Sequence, residues 1–166
     1  HMIRIPGLTE AGHLPDLVQP ADLAPTLLDA AGVGIPSIMQ GTSYLPLLRG
    51  EPCAIREVAI SGNAPNACGD NATITARDQR WQLQDSPIPT QRVLHDLVND
   101  PAQTANVADR NPDAVTRLHA AVVEFLKTHD AQPQIVPWFE TCDKGDMSDY
   151  VARRPGCERF HSYFAH

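Results

Sequence analysis

The 166-residue sequence is poor in basic side chains, with 13 Lys and Arg against 20 Asp and Glu and a net charge of -7. Nucleic-acid binding needs clustered cations to neutralise phosphates, so this balance argues against nucleic acid as a partner. The sequence also lacks an apolar run long enough to span a bilayer. We therefore expect a soluble-type domain that binds neither nucleic acid nor membrane.

Paired cysteine motifs are absent. The four cysteines are widely spaced and none forms a C-x-x-C pair, which argues against a zinc ribbon or a thioredoxin-type site. Two disulfides remain possible, with three connectivities, and the alternative is four reduced thiols. The cysteines are Cys53, Cys68, Cys142 and Cys157.

Several catalytic signatures are missing as well. The histidines beyond His1 show no H-E-x-x-H or H-x-H spacing, which favours surface or sheet-face positions over metal ligation. Ser61 lacks the preceding glycine of a nucleophile elbow, and the Gly32–Gly34 pair lacks the third glycine of a dinucleotide-binding loop. The histidines in question are His13, His95, His119, His129, His161 and His166.

The sequence does contain clear start and stop signals for a first helix. Fifteen Pro and ten Gly favour long ordered connections between short elements. Asp22 is suited to cap a helix N-terminus, Pro25 fits its first turn, and Gly32 fits a left-handed C-terminal position. An apolar face at helical spacing lies between them, formed by Leu23, Leu27, Leu28 and Ala31.

Short strands follow this helix. Arg56–Gly62 is typical of one strand, and Thr73–Gln84 of two strands joined by a turn at residues 77–80. Val93–Val98 predicts a further strand, ended by an Asn-Asp-Pro turn. Strands this short with tight connections indicate an antiparallel sheet. The stretch Ile3–Val18, by contrast, predicts the end of another strand and a loop.

A second helix is predicted at about Pro112–Thr128, with Asn111 as its cap and Pro112 at its first position. Its apolar stripe consists of Val115, Leu118, Val122, Phe125 and Leu126, which should lie on one face of the sheet. The stretch from residue 131 to 166 has no clear period but holds six of the nine aromatic residues. We expect it to wrap a surface, either of this domain or of a partner.

Three ordered segments resemble sulfatases of the alkaline phosphatase superfamily. Val18–Gly32 is similar to the family's "DlaPTlLdlaG" helix, and Met39–Gly50 to its "mqGxSllPlLxG" loop. Leu94–Ala108 resembles "LYDLxxDPxExxNLA", with His95 in place of the usual Tyr and Gln103 in place of the usual Glu. The resemblance covers about residues 3 to 130 and rests on scaffold positions in the C-terminal portion of an arylsulfatase-like enzyme.

The resemblance implies a parent enzyme that hydrolyses sulfate esters. Members of this family use formylglycine, made from Cys or Ser in a C-x-P-S-R-type motif, together with calcium held by acidic residues and Asn. None of the four cysteines of this chain is followed by Pro-Ser-Arg, and Asp70-Asn71 lacks the partners of a calcium site. We therefore predict no catalytic, cofactor-binding or metal-binding residue here, and no activity for this chain alone.

The predicted fold is α/β, or α+β within this portion. Residues 3–52 would form the edge of the sulfatase core, residues 53–130 a small antiparallel sheet of about four strands with one packed helix, and residues 131–166 an aromatic-rich tail. Expected partners are the missing N-terminal sulfatase domain or a second copy meeting through exposed faces. The alternative functions are a non-catalytic binding or oligomerisation module, or the C-terminal part of a related phosphodiesterase or phosphomutase.

Overall fold

The computed structural model describes residues 3–7, 12–62, 73–129, 131 and 135–141. The chain forms two compact units, His1–Ala59 and Ile60–His166. The division predicted above, with boundaries after residues 52 and 130, stays a prediction. None of the helices in the described residues has the length and apolar character needed to cross a membrane.

The first unit contains helix α1, Leu23–Ala30, which follows a 3-10 turn at Pro20–Asp22. The end of α1 is closed by two backbone bonds, from the N–H of Gly32 to the carbonyl of Asp29 and from the N–H of Val33 to the carbonyl of Leu28. Gly32 has φ +70°, the left-handed conformation that this closing motif needs. The predicted role of Gly32 is therefore confirmed.

A second short helix, α2, spans Leu45–Leu48 where the sequence predicted only loop and turn. Pro46 lies in its first turn, where a missing N–H costs little. Gly50, at φ +75°, closes α2 with the same pair of backbone bonds that ends α1. Leu45 and Leu47 are buried, so tertiary packing stabilises a helix too short to be stable by itself.

The strand predicted near Ile3 is absent from the described residues. Residues 3–7 carry a turn, and the structure assigns no strand to residues 12–58 either. A strand is defined by hydrogen bonds to a neighbouring strand, and none of the described residues before Ala59 offers one. This prediction was wrong because an apolar pattern gives no information on whether a partner strand exists.

The second unit is built on a four-stranded sheet in the order β1-β2-β3-β4. Strands β2 and β3 are antiparallel, as are β3 and β4. This confirms the predicted antiparallel sheet. The strands are β1, Ala59–Gly62; β2, Ile74–Arg77; β3, Trp81–Asp85; and β4, Val93–Asp96.

The predicted turn between β2 and β3 is present. Asp78 closes it, because its Oδ1 accepts the N–H groups of Arg80 at 2.7 Å and Trp81 at 2.5 Å. The resulting register pairs Ala76 with Leu83, both of which are fully buried.

Two strand ends differ from the prediction by two or more residues. The first strand begins at Ala59 rather than Arg56, after a bend at Glu57. The Arg56 side chain binds Asp22. The last ends at Asp96 rather than Val98, because Oδ1 of Asp96 accepts the N–H groups of Val98 and Asn99 and forces a turn.

Helix α3, Pro112–Thr128, packs against β2 and β3, as predicted. Its fully covered face consists of Ala114, Leu118, Val122 and Leu126. Asn111 does not cap the helix with its side chain. Its amide instead donates to the carbonyl of Val107 at 2.9 Å, which secures the preceding 3-10 turn.

The start of the aromatic-rich stretch forms helix α4, Ile135–Thr141, which packs on α3. Ile135 and Phe139 are buried, and Lys127 binds Glu140 at 2.7 Å. The sequence missed this helix because seven residues are too few to show a helical period. Residues 142–166, with Cys142 and Cys157, lie outside the described residues, as does Cys68, so the predicted disulfides stay untested.

Residues of the third family-like segment hold the outer edge of β4. Asn106 accepts the N–H groups of Leu94 and Ala108 through Oδ1 at 3.0 Å each. Asp100 accepts the N–H groups of Thr104 and Ala105 at 2.8 and 2.9 Å. The predicted turn at Asp100 is confirmed, and Asn106 satisfies the backbone of the sheet edge.

Gly41 marks a close approach of two backbone segments in the first unit. A Cβ at this position would lie 1.9 Å from the carbonyl oxygen of Ala21. No side chain fits at that distance, so the loop that leads into α2 can pass the 3-10 turn only with glycine here.

We predict that Gly41→Ala lowers the free energy of unfolding by about 1–3 kcal/mol, because the clash is with rigid backbone. Gly34→Ala is the matched control, since a Cβ there would meet nothing within 4 Å. It should leave stability unchanged or slightly raised. Urea unfolding followed by circular dichroism measures both, and equal effects would contradict the assignment.

Candidate functional site

The groups implied by the family resemblance find no fitting residues in the described part of the chain. Cys53 is exposed and is followed by Ala-Ile-Arg, not by the residues of a formylglycine motif. The described residues contain no group of three or more His, Cys, Asp or Glu that could hold a metal ion. The ionic groups with the most distinctive surroundings are instead two buried clusters, one in each unit.

The first cluster surrounds Asp22, whose side chain is fully buried. Arg56 binds it with two guanidinium nitrogens, at 2.5 and 2.6 Å. The carboxylate also accepts the N–H of Gln19 at 2.6 Å and that of Thr42 at 2.9 Å. We call these four residues the Asp22 cluster. Four donors on one carboxylate compensate the removal of its charge from water.

The position of Asp22 was predicted correctly but its role was not. The structure shows no bond from its side chain to the N-terminus of α1. It serves the preceding 3-10 turn and two distant segments instead. Burial acts to raise the pKa of Asp22, but the bonds from Arg56, Thr42 and Gln19 outweigh it and hold the pKa below its ordinary value.

Polar groups next to the Asp22 cluster extend it. Thr26 donates its hydroxyl to the carbonyl of Asp22 at 2.7 Å and accepts the N–H of Tyr44 at 3.0 Å. The Tyr44 hydroxyl is buried and has no hydrogen-bond partner among the described residues, and burial, together with the charge of Asp22, raises its pKa. These bonds join α1, the loop before α2 and Arg56 into one polar interior.

We predict that Asp22→Asn destabilises the chain by about 3 kcal/mol at pH 7, because it leaves Arg56 without its counter-charge. A lowered pKa in the folded state stabilises the protein above the ordinary Asp value of 3.8, and this contribution is lost as the pH falls through the folded-state pKa. The stability gap between the two proteins should therefore shrink from pH 7 to pH 3. Denaturant unfolding at both pH values measures it, and a constant gap would contradict the assignment.

The second cluster lies where β3 ends. Asp85 is fully buried and binds Nε of Arg92 through Oδ1 at 2.7 Å and Nδ1 of His119 through Oδ2 at 2.7 Å. We call these three residues the Asp85 cluster. Because His119 belongs to α3 and Arg92 precedes β4, the cluster ties the helix to the sheet.

Nδ1 of His119 faces both other members of the cluster. It lies 2.7 Å from Oδ2 of Asp85 and 3.0 Å from Nη2 of Arg92, and Nε2 lies 3.4 Å from the same Nη2. The nearby Ser86 hydroxyl donates to Gln91 at 3.3 Å and accepts the N–H of Ile88 at 3.2 Å. These bonds hold the Ser86 side chain within the loop.

The sequence analysis treated His119 only as a surface or sheet-face histidine. It is mostly buried, and it occupies an ionic cluster instead. A signal was available, since His119 sits beside Leu118 and one turn before Val122, at the border of the apolar stripe. His95, in contrast, does lie within the sheet, where it is buried and its Nδ1 is 3.1 Å from the carbonyl of Ala105.

In two further ion pairs of the second unit the arginine side chain is about half exposed and the aspartate is mostly buried. Arg80 binds Asp96 at 2.9 Å, with its guanidinium also stacked 4.5 Å over the ring of Trp81. The hydrogen bond from Arg80 holds the pKa of Asp96 far below its ordinary value. Arg117 binds Asp78 at the turn between β2 and β3.

We predict that Arg92→Ala lowers the free energy of unfolding by about 3 kcal/mol, because it leaves a buried carboxylate without its cation. Arg117→Ala is the matched control, since this arginine is half exposed and its removal should cost less than about 1 kcal/mol. Thermal and urea unfolding of both variants measure the contrast. Similar losses in the two would argue that the Asp85 cluster does not fasten α3.

Comparison with known proteins identifies a family that this chain matches. Residues 1–131 match the family described as N-sulphoglucosamine sulphohydrolase, C-terminal. Arylsulfatase K of Rattus norvegicus is 26% identical over an alignment that covers 89% of this chain and 29% of the relative. Arylsulfatase K of Mus musculus is 30% identical, with 65% of this chain and 21% of the relative covered. The chain therefore spans less than a third of the length of these relatives.

Solved structures agree on the fold. A Bacteroides thetaiotaomicron chain, solved in connection with the metabolism of multiple glycosaminoglycans, superposes with a TM-score of 0.61 and 24% identity, over 83% of this chain and 31% of that one. A 2-O GAG sulfatase superposes with a TM-score of 0.55 and 24% identity, over 64% and 24%. At such identities the likeness concerns the fold, and it confirms the predicted α/β class.

Proposed function

Because the chain belongs to the N-sulphoglucosamine sulphohydrolase C-terminal family, and is thus the C-terminal portion of a sulfatase, we propose that it completes a sulfuric ester hydrolase whose reacting groups lie outside this sequence. The observation that carries the proposal is the family match over residues 1–131, on a chain less than a third as long as its relatives. Formylglycine and calcium would belong to the remainder of that enzyme.

The partners of the buried arginine and histidine side chains in the described residues support this proposal. Hydrolysis of a sulfate ester needs a nucleophile and cations aimed at the sulfate oxygens. Here three mostly buried side chains, those of Arg56, Arg92 and His119, face carboxylates of the scaffold. Each is committed to fastening one element to another, which is the role of a supporting shell around a site.

The Asp22 cluster also connects the first two segments on which the family resemblance rests. Asp22 belongs to Val18–Gly32 and Thr42 to Met39–Gly50, and they share one carboxylate. Arg56 joins both from farther along the chain. In this chain these residues hold the scaffold together, and that role needs no part in the reaction.

We predict that the purified 166-residue chain does not hydrolyse p-nitrophenyl sulfate above the buffer rate, with or without added calcium. The longer protein encoded by the same gene should hydrolyse it. Release of p-nitrophenol measures both, after a second purification step has removed contaminating sulfatases.

Three outcomes would count against the proposal. Activity that stays with the 166-residue chain through repeated purification would place the reacting groups within it. A longer protein that cleaves bis(p-nitrophenyl) phosphate but no sulfate ester would favour the related phosphodiesterases. A longer protein inactive on both would favour a non-catalytic binding module.

A further inference from the structure

Exposed apolar side chains are concentrated in the first unit. Of the seven large apolar side chains that are exposed among the described residues, six lie between positions 14 and 38 and only Val98 lies elsewhere. Five of the six belong to α1 and the loop that follows it. We call these five the apolar edge: Leu23, Leu27, Val33, Ile35 and Ile38.

Charge is absent from most of this region. No charged residue or histidine occurs from Ala30 to Leu48, although a fifth of the whole chain is charged. Leu23 and Leu27 are four residues apart on α1 and therefore share one stripe of the helix. Solvated surfaces usually mix charges among their apolar groups, so an uncharged apolar stretch of this length is typical of an interface.

The structure also holds the loop of the apolar edge in a defined conformation. It begins at the left-handed Gly32 and contains a hydrogen-bonded turn from Pro36 to Met39, with Ile38 in the turn at 87% exposure. It ends where Thr42 donates its N–H to Asp22, and where the next residue, Ser43, donates its hydroxyl to Asp29 at 2.6 Å. Both ends of the loop are therefore fixed to α1 or to the turn before it.

We infer that the apolar edge is the surface on which the remainder of the sulfatase polypeptide packs. This inference rests on the proposed function, because it takes its partner from the part of the relatives that this chain does not span. More than two thirds of their length lies outside the match, and the match is to a C-terminal family. The partner surface is accordingly apolar and belongs to the segment that precedes this one.

The test uses the 166-residue chain and the polypeptide encoded immediately upstream in the same gene, produced together and separately. The wild-type chain should bind this polypeptide in isothermal titration calorimetry. The double variant Leu27→Glu/Ile38→Glu should weaken binding at least tenfold, because it places two charges in the apolar contact. Val98→Glu is the matched control, an exposed apolar residue of the second unit, and should bind like wild type.

Each possible outcome either supports or overturns the inference. All these side chains are exposed, so thermal unfolding of the separate variants should match wild type and exclude misfolding as the cause of weak binding. Equal binding by the double variant, or equal weakening by Val98→Glu, would overturn the inference. So would a wild-type dimer in sedimentation velocity that Ile38→Glu disrupts while the upstream polypeptide fails to bind. If binding depends on the apolar edge but the complex hydrolyses no sulfate ester, the inference stands and the proposed function fails.

Discussion

The ion pair between Asp22 and Arg56 is the interaction on which the first unit depends. It brings three distant segments together at one carboxylate that is fully removed from water. The apolar interior around it is small, with Pro25, Tyr44, Leu45 and Leu47 as its buried members among the described residues. Because so few apolar groups are covered there, the geometry of the unit follows from hydrogen bonds that must all be made at once.

The second unit follows a different principle. Its sheet and α3 enclose a continuous apolar layer, from Ile74 and Leu83 on the strands to Leu118 and Val122 on the helix. The Asp85 cluster lies where β3 ends and adds orientation to a contact that hydrophobic burial already favours. One chain thus combines a unit specified mainly by polar bonds with a unit specified mainly by packing.

The sequence predicted the elements that depend on residues close together along the chain. Helix α3, the end of α1 at Gly32 and the turn at Asp78 all follow from residues within a few positions of one another. The partners of Asp22 and Asp85 did not follow, because Arg56 and His119 are each 34 residues away and no periodicity links them. Helices α2 and α4 were missed because each has too few residues to show a period, and tertiary packing decides whether they form.

The distance along the chain between Asp22 and Arg56 also has a consequence during synthesis. Residues leave the ribosome one at a time, at about 5–20 per second. A carboxylate cannot enter a low-dielectric interior before its cation is present. Thirty-four residues separate the two charges, so the Asp22 carboxylate must remain hydrated until the whole stretch up to Arg56 has emerged. The first unit is therefore expected to fold only after Arg56 has emerged, and the apolar edge, which includes Leu23 and Leu27 of α1, stays exposed even then.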